Sequence, residues 1–309
     1  MTSPYRLALL TDPPTWHGRA LSGRSLDLLA VLAGSQDARV TDSVLIETLW
    51  PGDLPARPLR ALHVVVSRVR AVVGEGVVER SGDGYRLMLP EAEVDVRDLS
   101  DRAERVRACA ATGQWDRILD LTGSLPRVLV PDEADDVARA EATPVTLLRE
   151  RAARQVEEAR RDRGLALETA GEHEQAADLL REASQRDGGD ETVLAALMRA
   201  ESWVRSPAAA LEIYEQYRRR LRELGAVPGP AMRAAHEAVL AAESPVRHGL
   251  EPEPEYFLGR EADVSGVLKA LSTHHLVTLT GPGGVGKTTL AQVVAARSRR
   301  PAVYVVALA

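Results

Sequence analysis

The sequence predicts a mostly α-helical chain with a small β part, ending in a partial α/β segment. Three observations carry that prediction. Apolar residues recur at helical spacing through almost all of residues 96–245. Residues 1–95 mix short β-like runs with helical stretches, and near residue 280 a β-run passes through a cluster of glycines into another helical stretch. The composition agrees. At 309 residues the length suits two domains or slightly more. Apolar residues are 45% and charged residues 27%, as in soluble globular proteins, which excludes a collagenous chain and argues against wholesale disorder. Aromatics are only 4%, with a single Phe, so the cores must be built mainly from Ala, Val and Leu.

Residues 1–95 form the first expected domain. Tyr5–Leu10 reads as a strand. Leu26–Leu32 repeats apolar residues at helical spacing and stops at Gly34. Thr41-Asp42-Ser43 offers caps for a second helix through Leu45 to Trp50, and Pro51-Gly52-Asp53 is a stop signal. Pro58 suits the first turn of a third helix, which Leu62, Val66, Val69 and Val73 carry to Gly74. Val77–Arg80 and Tyr85–Leu89 then read as a hairpin about Ser81–Gly84, a turn slightly long for that motif.

The third helix carries Arg57, Arg60, Arg68 and Arg70, with no acid between Arg57 and Gly74. The chain has net charge −6 and the rest of the first 95 residues is rich in Asp and Glu, so positive charge is concentrated on one element. Such an element suits phosphates. His63, Ser67, Arg70 and Arg60 lie off the apolar stripe, where they could reach base edges or phosphates in a major groove. A hairpin after such a helix is the wing of a winged helix-turn-helix, and Arg80 near its tip could enter the adjacent minor groove or hold a phosphate. Surface arginines are most often simply solvated. The order helix, helix, helix, hairpin, with charge on the third helix, favours DNA. The expected DNA-binding set is Arg57, Arg60, His63, Ser67, Arg68, Arg70 and Arg80.

Residues 96–245 form the second expected domain. Glu172–Leu180 realigns with Ser206–Tyr214 at an offset of 34 residues, the period of a tetratricopeptide helix pair, and Gly113–Leu121 fits the same frame more weakly. One such pair cannot bury its apolar stripe alone, so stacking is forced. An ordinary Ala-rich bundle would share the composition, but the 34-residue match favours a tetratricopeptide-like domain.

Leu62–Arg70 followed by Gly82-Asp83-Gly84-Tyr85-Arg86-Leu87 resembles the OmpR-type winged helix, and more narrowly the Streptomyces antibiotic regulatory protein (SARP) family. In that family the winged helix is followed by a helical, repeat-containing bacterial transcriptional activation domain. Leu194–Ala200, Ala210–Tyr214 and Leu221–Pro230 look like the late part of that domain, so the resemblance covers about residues 5–242. It implies a DNA-binding activator of secondary-metabolite genes that contacts tandem promoter-proximal sites and recruits RNA polymerase, with a second protomer on the DNA. Three departures stand out. Val65 replaces a frequent polar residue, Ser67 is shorter than the Arg sometimes found there, and Asp83 puts an acid in the wing turn. The resemblance begins at the winged helix itself, so phosphorylation at the acidic phosphoacceptor of a receiver domain is not expected.

Residues 246–255 read as a Pro-punctuated linker, and residues 256–309 as the start of a P-loop NTPase domain. Leu276–Thr280 is a β-run that leads into Gly281-Pro282-Gly283-Gly284-Val285-Gly286-Lys287-Thr288-Thr289, a full G-x-x-x-x-G-K-[ST] match before the helical Leu290–Val294. Gly281, Gly283, Gly284, Val285 and Gly286 would cradle phosphates of ATP or ADP with backbone N–H groups, Lys287 would bridge the β- and γ-phosphates, and Thr288 beside Thr289 would bind Mg²⁺. With Gly259-Arg260-Glu261 upstream, the segment resembles the start of an NB-ARC or related signal-transduction ATPase, which would put Arg260 near the nucleotide. Ala302–Leu308 is a plausible second strand, and no later strand supplies a Walker B carboxylate. The expectation is therefore a fragment of a longer protein or a truncated product, not an enzyme by itself, with ATP hydrolysis reserved for a longer chain.

Other chemistry finds little support. Cys109 is the single cysteine, which excludes an intramolecular disulfide and a Cys-based zinc cluster. The seven histidines form no H-E-x-x-H, and Glu157-Glu158 sits in a solvated helical pattern. No apolar run approaches the ~20 residues of a membrane span, so the expected location is cytoplasmic, at the nucleoid. Two alternative functions stay open: a nucleotide-dependent switch ATPase active in a longer chain, and a tetratricopeptide interaction scaffold.

Overall fold

A computed structural model describes residues 4–35, 39–126, 128, 143–243, 246–250, 259–274, 276–298, 300 and 302–306. The chain divides into two compact units, 1–160 and 161–309. That division cuts across the borders expected at 95/96 and 245/246.

The first unit opens with β1 (Leu7–Ala8), β2 (Thr15–Trp16) and β3 (Arg19–Ala20), an antiparallel sheet in that order. Only Leu7–Ala8 of the expected Tyr5–Leu10 strand is paired. The turn between β2 and β3 places His17 at φ 46° and Gly18 at φ 77°, left-handed at both central positions as a two-residue hairpin demands. Then come α1 (Gly23–Gly34), β4 (Val40–Thr41), α2 (Asp42–Leu49), α3 (Pro58–Val73), β5 (Val78–Ser81) and β6 (Gly84–Leu87). The second sheet runs β4-β6-β5. Ser81 pairs with Gly84, so the wing turn is the two residues Gly82-Asp83, tighter than expected, with Gly82 at φ 58°. Gly84 is needed for a different reason. A Cβ there would lie 2.7 Å from the Thr41 Cα and against the Val40 carbonyl, so only glycine lets β4 and β6 approach.

The core explains why α3 stands where it does. Leu62, Val65, Val66, Val69 and Val73 are buried on one side of α3, in one cluster with Leu28, Leu29 and Leu32 of α1 and Leu45 and Leu49 of α2. Each fully buried Leu contributes roughly 1.5–3 kcal/mol. The same cluster continues into α4 (Asp95–Ala111) through Val96 and Leu99, and into α6 (Pro144–Thr169) through Leu148, Ala152 and Val156. Between these two helices lies α5 (Trp115–Thr122). A shared core is the physical reason the compact unit does not end at residue 95. Asp95 adds a polar fastening. Its buried carboxylate accepts from the Leu9, Leu10 and Val96 N–H groups at 3.0, 2.8 and 2.8 Å, while Arg149 of α6 donates to the Leu9 carbonyl at 2.9 Å. Burial raises the Asp95 pKa, and the three N–H donors oppose that rise.

The second unit contains α7 (His173–Arg186), α8 (Glu191–Val204), α9 (Pro207–Glu223) and α10 (Pro230–Glu243). Helices α7 and α9 begin 34 residues apart, and the equivalent Ala176 and Ala210 are both fully buried. The sequence repeat is thus kept as two successive helix pairs. Asp190 caps α8 by accepting from the Thr192 and Val193 N–H groups, and Ser206 with Pro207 starts α9. Next come β7 (Val246–His248), α11 (Glu261–Thr273), α12 (Lys287–Arg297) and β8 (Ala302–Tyr304), with β7 and β8 parallel.

Two expectations are corrected here. Residues 246–248, expected as linker, form a strand. Leu276–Thr280, expected as a strand, has no ladder partner among the described residues, and Leu276 is 82% exposed. A β-run becomes a strand only when a neighbour takes its N–H and C=O groups, and β8 pairs with β7 instead. The expected Tyr256–Leu258 opening, residues 251–255 of the linker and the Ala307-Leu308 end of the last strand lie outside the described residues. Among the described residues no helix is long and apolar enough to cross a membrane.

Candidate nucleic-acid interface

The face of α3 opposite its buried side carries Arg60, His63, Val64, Ser67 and Arg68, all exposed, and Arg57 is exposed at its N-cap. Among the described residues Arg57, Arg60 and Arg68 make no ion pair. Three guanidinium groups thus stand free on one helix. Val65 is 6% exposed and belongs to the core, so its apolar character costs no surface contact. The exposed apolar residues here are Leu59 and Val64.

Arg70 and Arg80 are placed differently from the other five. Arg70 lies in the last turn of α3, half-buried, where its Nε donates to the Val78 carbonyl at 2.9 Å and its guanidinium sits 5.9 Å from the Tyr85 ring. Arg80 of β5 donates through both Nη atoms to the Asp42 carboxylate, at 2.7 and 2.8 Å, and its guanidinium lies 4.8 Å from the same ring. The Asp42 carboxylate raises the Arg80 pKa above the ordinary arginine value. The two arginines therefore clamp Tyr85 and fasten the hairpin to α2 and α3. That use was not expected for either. Asp83 of the wing turn is engaged as well, with Arg39 at 2.8 Å. Asp42 and Tyr85 are the residues that sequence reasoning missed. Tyr85 offered a faint signal, a lone aromatic in a hairpin flanked by arginines. The Asp42 pairing joins residues 38 positions apart and had none.

A second candidate site lies at residues 281–289. Gly281, Gly284 and Gly286 adopt φ of 155°, 77° and 83°, and α12 begins at Lys287 directly after the left-handed Gly286. A Cβ at Gly283 or Gly284 would meet nothing within 4 Å, so the loop is open on that side. The Lys287 ammonium donates to the Gly281 and Pro282 carbonyls at 2.9 and 2.8 Å. Thr288 and Thr289 are exposed in the first turn of α12. Arg260 reaches the loop from the start of α11. It donates to the Val285 carbonyl at 2.9 Å and pairs with Asp263 at 2.9 Å.

The bacterial transcriptional activator domain family matches residues 94–240. The chain is 28% identical to the regulatory protein AfsR of Streptomyces griseus, over 96% of this chain and 32% of that protein. It is 29% identical to AfsR of Streptomyces coelicolor, over 88% of this chain and 30% of the relative. The chain thus spans about a third of the length of these curated relatives. A solved structure of Mycobacterium tuberculosis EmbR, in complex with a low affinity phosphopeptide, is similar with TM-score 0.56 and 20% identity, covering 74% of this chain and 62% of that one. At that identity the likeness speaks for the fold. Residues 94–240 are therefore similar to the bacterial transcriptional activator domain, within a chain that is similar over most of its length to the AfsR regulatory proteins.

Proposed function

We propose that the protein is a DNA-binding transcriptional activator of the SARP type. In this reading α3 enters the major groove and the β5–β6 hairpin lies beside it. The observation that carries the reading is the unanswered charge of Arg57, Arg60 and Arg68 on the exposed side of α3. Surface arginines are often only solvated, but three unpaired cations beside one exposed helix face, next to a hairpin, form a positive surface that suits a phosphate backbone. His63 and Ser67, between those arginines, are placed to read base edges. Arg70 and Arg80 hold the hairpin in position, Arg80 through a two-bond pairing with Asp42 that offsets its charge toward a phosphate. The similarity of residues 94–240 to the bacterial transcriptional activator domain supports the activator role; promoter-proximal sites, RNA polymerase as second partner and secondary-metabolite genes as target complete the proposal. Gel-shift titration of the whole chain on DNA upstream of its own and adjacent genes tests this. Three phosphate contacts per protomer give a log–log salt slope of roughly −3. A slope near zero, or affinity untouched by replacing all three arginines with Gln, would leave the scaffold reading instead.

A second reading adds to the first. The open glycine loop, the lysine spanning it and the helix start behind it fit the phosphates of a nucleotide, with Lys287 as counter-charge and Thr288 supplying a hydroxyl for Mg²⁺. Fluorescent ADP titrated with Mg²⁺ should bind, and Lys287→Ala should abolish the signal. Equal binding by both proteins would remove the nucleotide from the account.

A further inference from the structure

The first unit holds an open cavity of about 940 Å³ that the DNA-facing side does not use. The ends of α1 and β6 form one wall, and α4 and α6 form the other. Val96, Leu148 and Ala152 give it an apolar floor, and the nine-tenths buried Gln155 lines it too, accepting from Ser100 Oγ at 3.3 Å.

The arginines around this cavity divide sharply. Of the lining arginines, Arg97 of α4 is spent on the Leu32 and Ala33 carbonyls at 3.0 and 3.2 Å, and just outside the lining Arg102 pairs with Asp98 and Arg105 with Asp101. Arg107 of α4 and Arg151 of α6 both line the cavity, and neither has an ion-pair partner among the described residues. Glu104 stands one helical turn before Arg107 and does not close on it. From the opposite wall, Arg86 gives one Nη to Glu79 at 3.1 Å, but its Nε is buried with no acceptor. A buried donor without an acceptor is costly and marks a place where a group is wanted. Of the lining acids, Asp101 is held by Arg105, while Glu91 and Glu104 are exposed at the mouth.

We propose that this cavity binds a small organic oxyanion, a carboxylate or phosphate monoester of metabolite size. Arg107 and Arg151 grip its headgroup, and the apolar floor holds its body. Two planar guanidinium forks suit a carboxylate or phosphate oxygen pair. The volume lies within the range of roughly 300–1,000 Å³ typical of small-molecule sites. Glu91 and Glu104 at the mouth repel an extended polyanion, which separates this site from the nucleic-acid face on α3. Because its walls come from the hairpin end as well as from activator-domain helices, an occupant touches both. The inference goes beyond the DNA reading and stands without it.

Isothermal titration of the whole chain with citrate and with inorganic phosphate, against chloride at matched ionic strength, tests it. In the Lys287→Ala background, which removes the counter-charge of the glycine loop, we expect one-site, saturable binding of at least one probe, and the stronger of the two identifies the headgroup. The Arg107→Gln/Arg151→Gln double variant, altered at two exposed positions, should weaken binding at least tenfold. Arg86→Lys keeps the charge, removes the Nε donor and should weaken it several-fold. Arg60→Gln on α3 should leave it unchanged. No saturable binding of either probe, a loss under threefold in the double variant, or an equal loss in Arg60→Gln would overturn the proposal.

Discussion

Arginine does opposite work in two helical regions of this protein. In the second unit, Arg161 binds Asp190 and Asp162, Arg181 binds Glu201 at 2.5 Å, and Arg199 grips Glu168 through two bonds of 2.8 and 2.9 Å. Glu201 and Asp162 are almost wholly buried, so these arginines neutralise carboxylates packed between helices. On α3 no group of the described fold answers Arg57, Arg60 or Arg68. Residue type alone cannot separate the two uses, because the chain takes nearly all its positive charge from arginine, with Lys269 and Lys287 as its only lysines. Pairing separates them. A paired arginine should register in stability and an unpaired one in binding.

The largest effect on that comparison is expected at Arg181→Ala. It leaves Glu201 buried against the distant Arg205 alone, at 3.9 Å. Breaking a fully buried pair costs ~3–5 kcal/mol; Arg181 keeps solvent contact, so a loss of about 2 kcal/mol is expected in urea denaturation. Stability unchanged within about 0.5 kcal/mol would show that solvent already does what Arg181 is credited with. Gly84→Ala comes next. Its Cβ would press on β4, and overpacking of this kind costs about 1–3 kcal/mol. Faster amide exchange in β6, with loss of DNA affinity, would mark the hairpin as the element disturbed, and an unaltered melting temperature would argue that β4 shifts freely. Arg68→Gln is smaller again. Thermal stability should stay within about 0.5 kcal/mol of the parent while the salt slope of DNA binding falls by about 1. A stability loss larger than the binding loss would make Arg68 a structural residue and erase the contrast.

Much of this was legible in the sequence, and the illegible parts share a cause. Pro58 and Gly74 bracket α3 in the sequence and in the fold, because a fixed φ at the start and a left-handed residue at the end are local properties. The buried side of α3 follows from its period, although Val65 joins it where the four-residue stripe had omitted it. The helix starts at 173 and 207 were visible as a repeat. Strands β2 and β3 were not visible. Each has two residues, too few to show alternation, and His17-Gly18 was the only cue. Spacing alone set Arg60, His63 and Ser67 off the apolar stripe, and all three are exposed in the fold. The roles of Arg70 and Arg80 depend on Asp42, Val78 and Tyr85, brought in by packing rather than by neighbouring sequence. The same reasoning explains Leu276–Thr280. Its composition suits a strand, but composition supplies no partner.

The smallest expected effect tests the paired region through a histidine. His173 begins α7, stacked on Trp203 of α8 with ring centroids 5.1 Å apart and planes 10° from parallel. Its Nδ1 is buried and has no hydrogen-bond partner. Burial lowers its pKa below the ordinary 6.5; Glu168 and Glu172 pull the other way, and Arg199 adds to the lowering. A depressed folded-state pKa means that the folded protein prefers the neutral ring. The stability from this ring is therefore fully present above the unfolded value and is lost as pH falls through the folded one. Melting of the whole chain should weaken below about pH 6.5. His173→Phe keeps an aromatic ring against Trp203 and removes the titration, so it should flatten that part of the pH profile. If the variant loses stability over the same pH range as the parent, the acid sensitivity belongs to the buried carboxylates and their arginines, and His173 is only a packing residue.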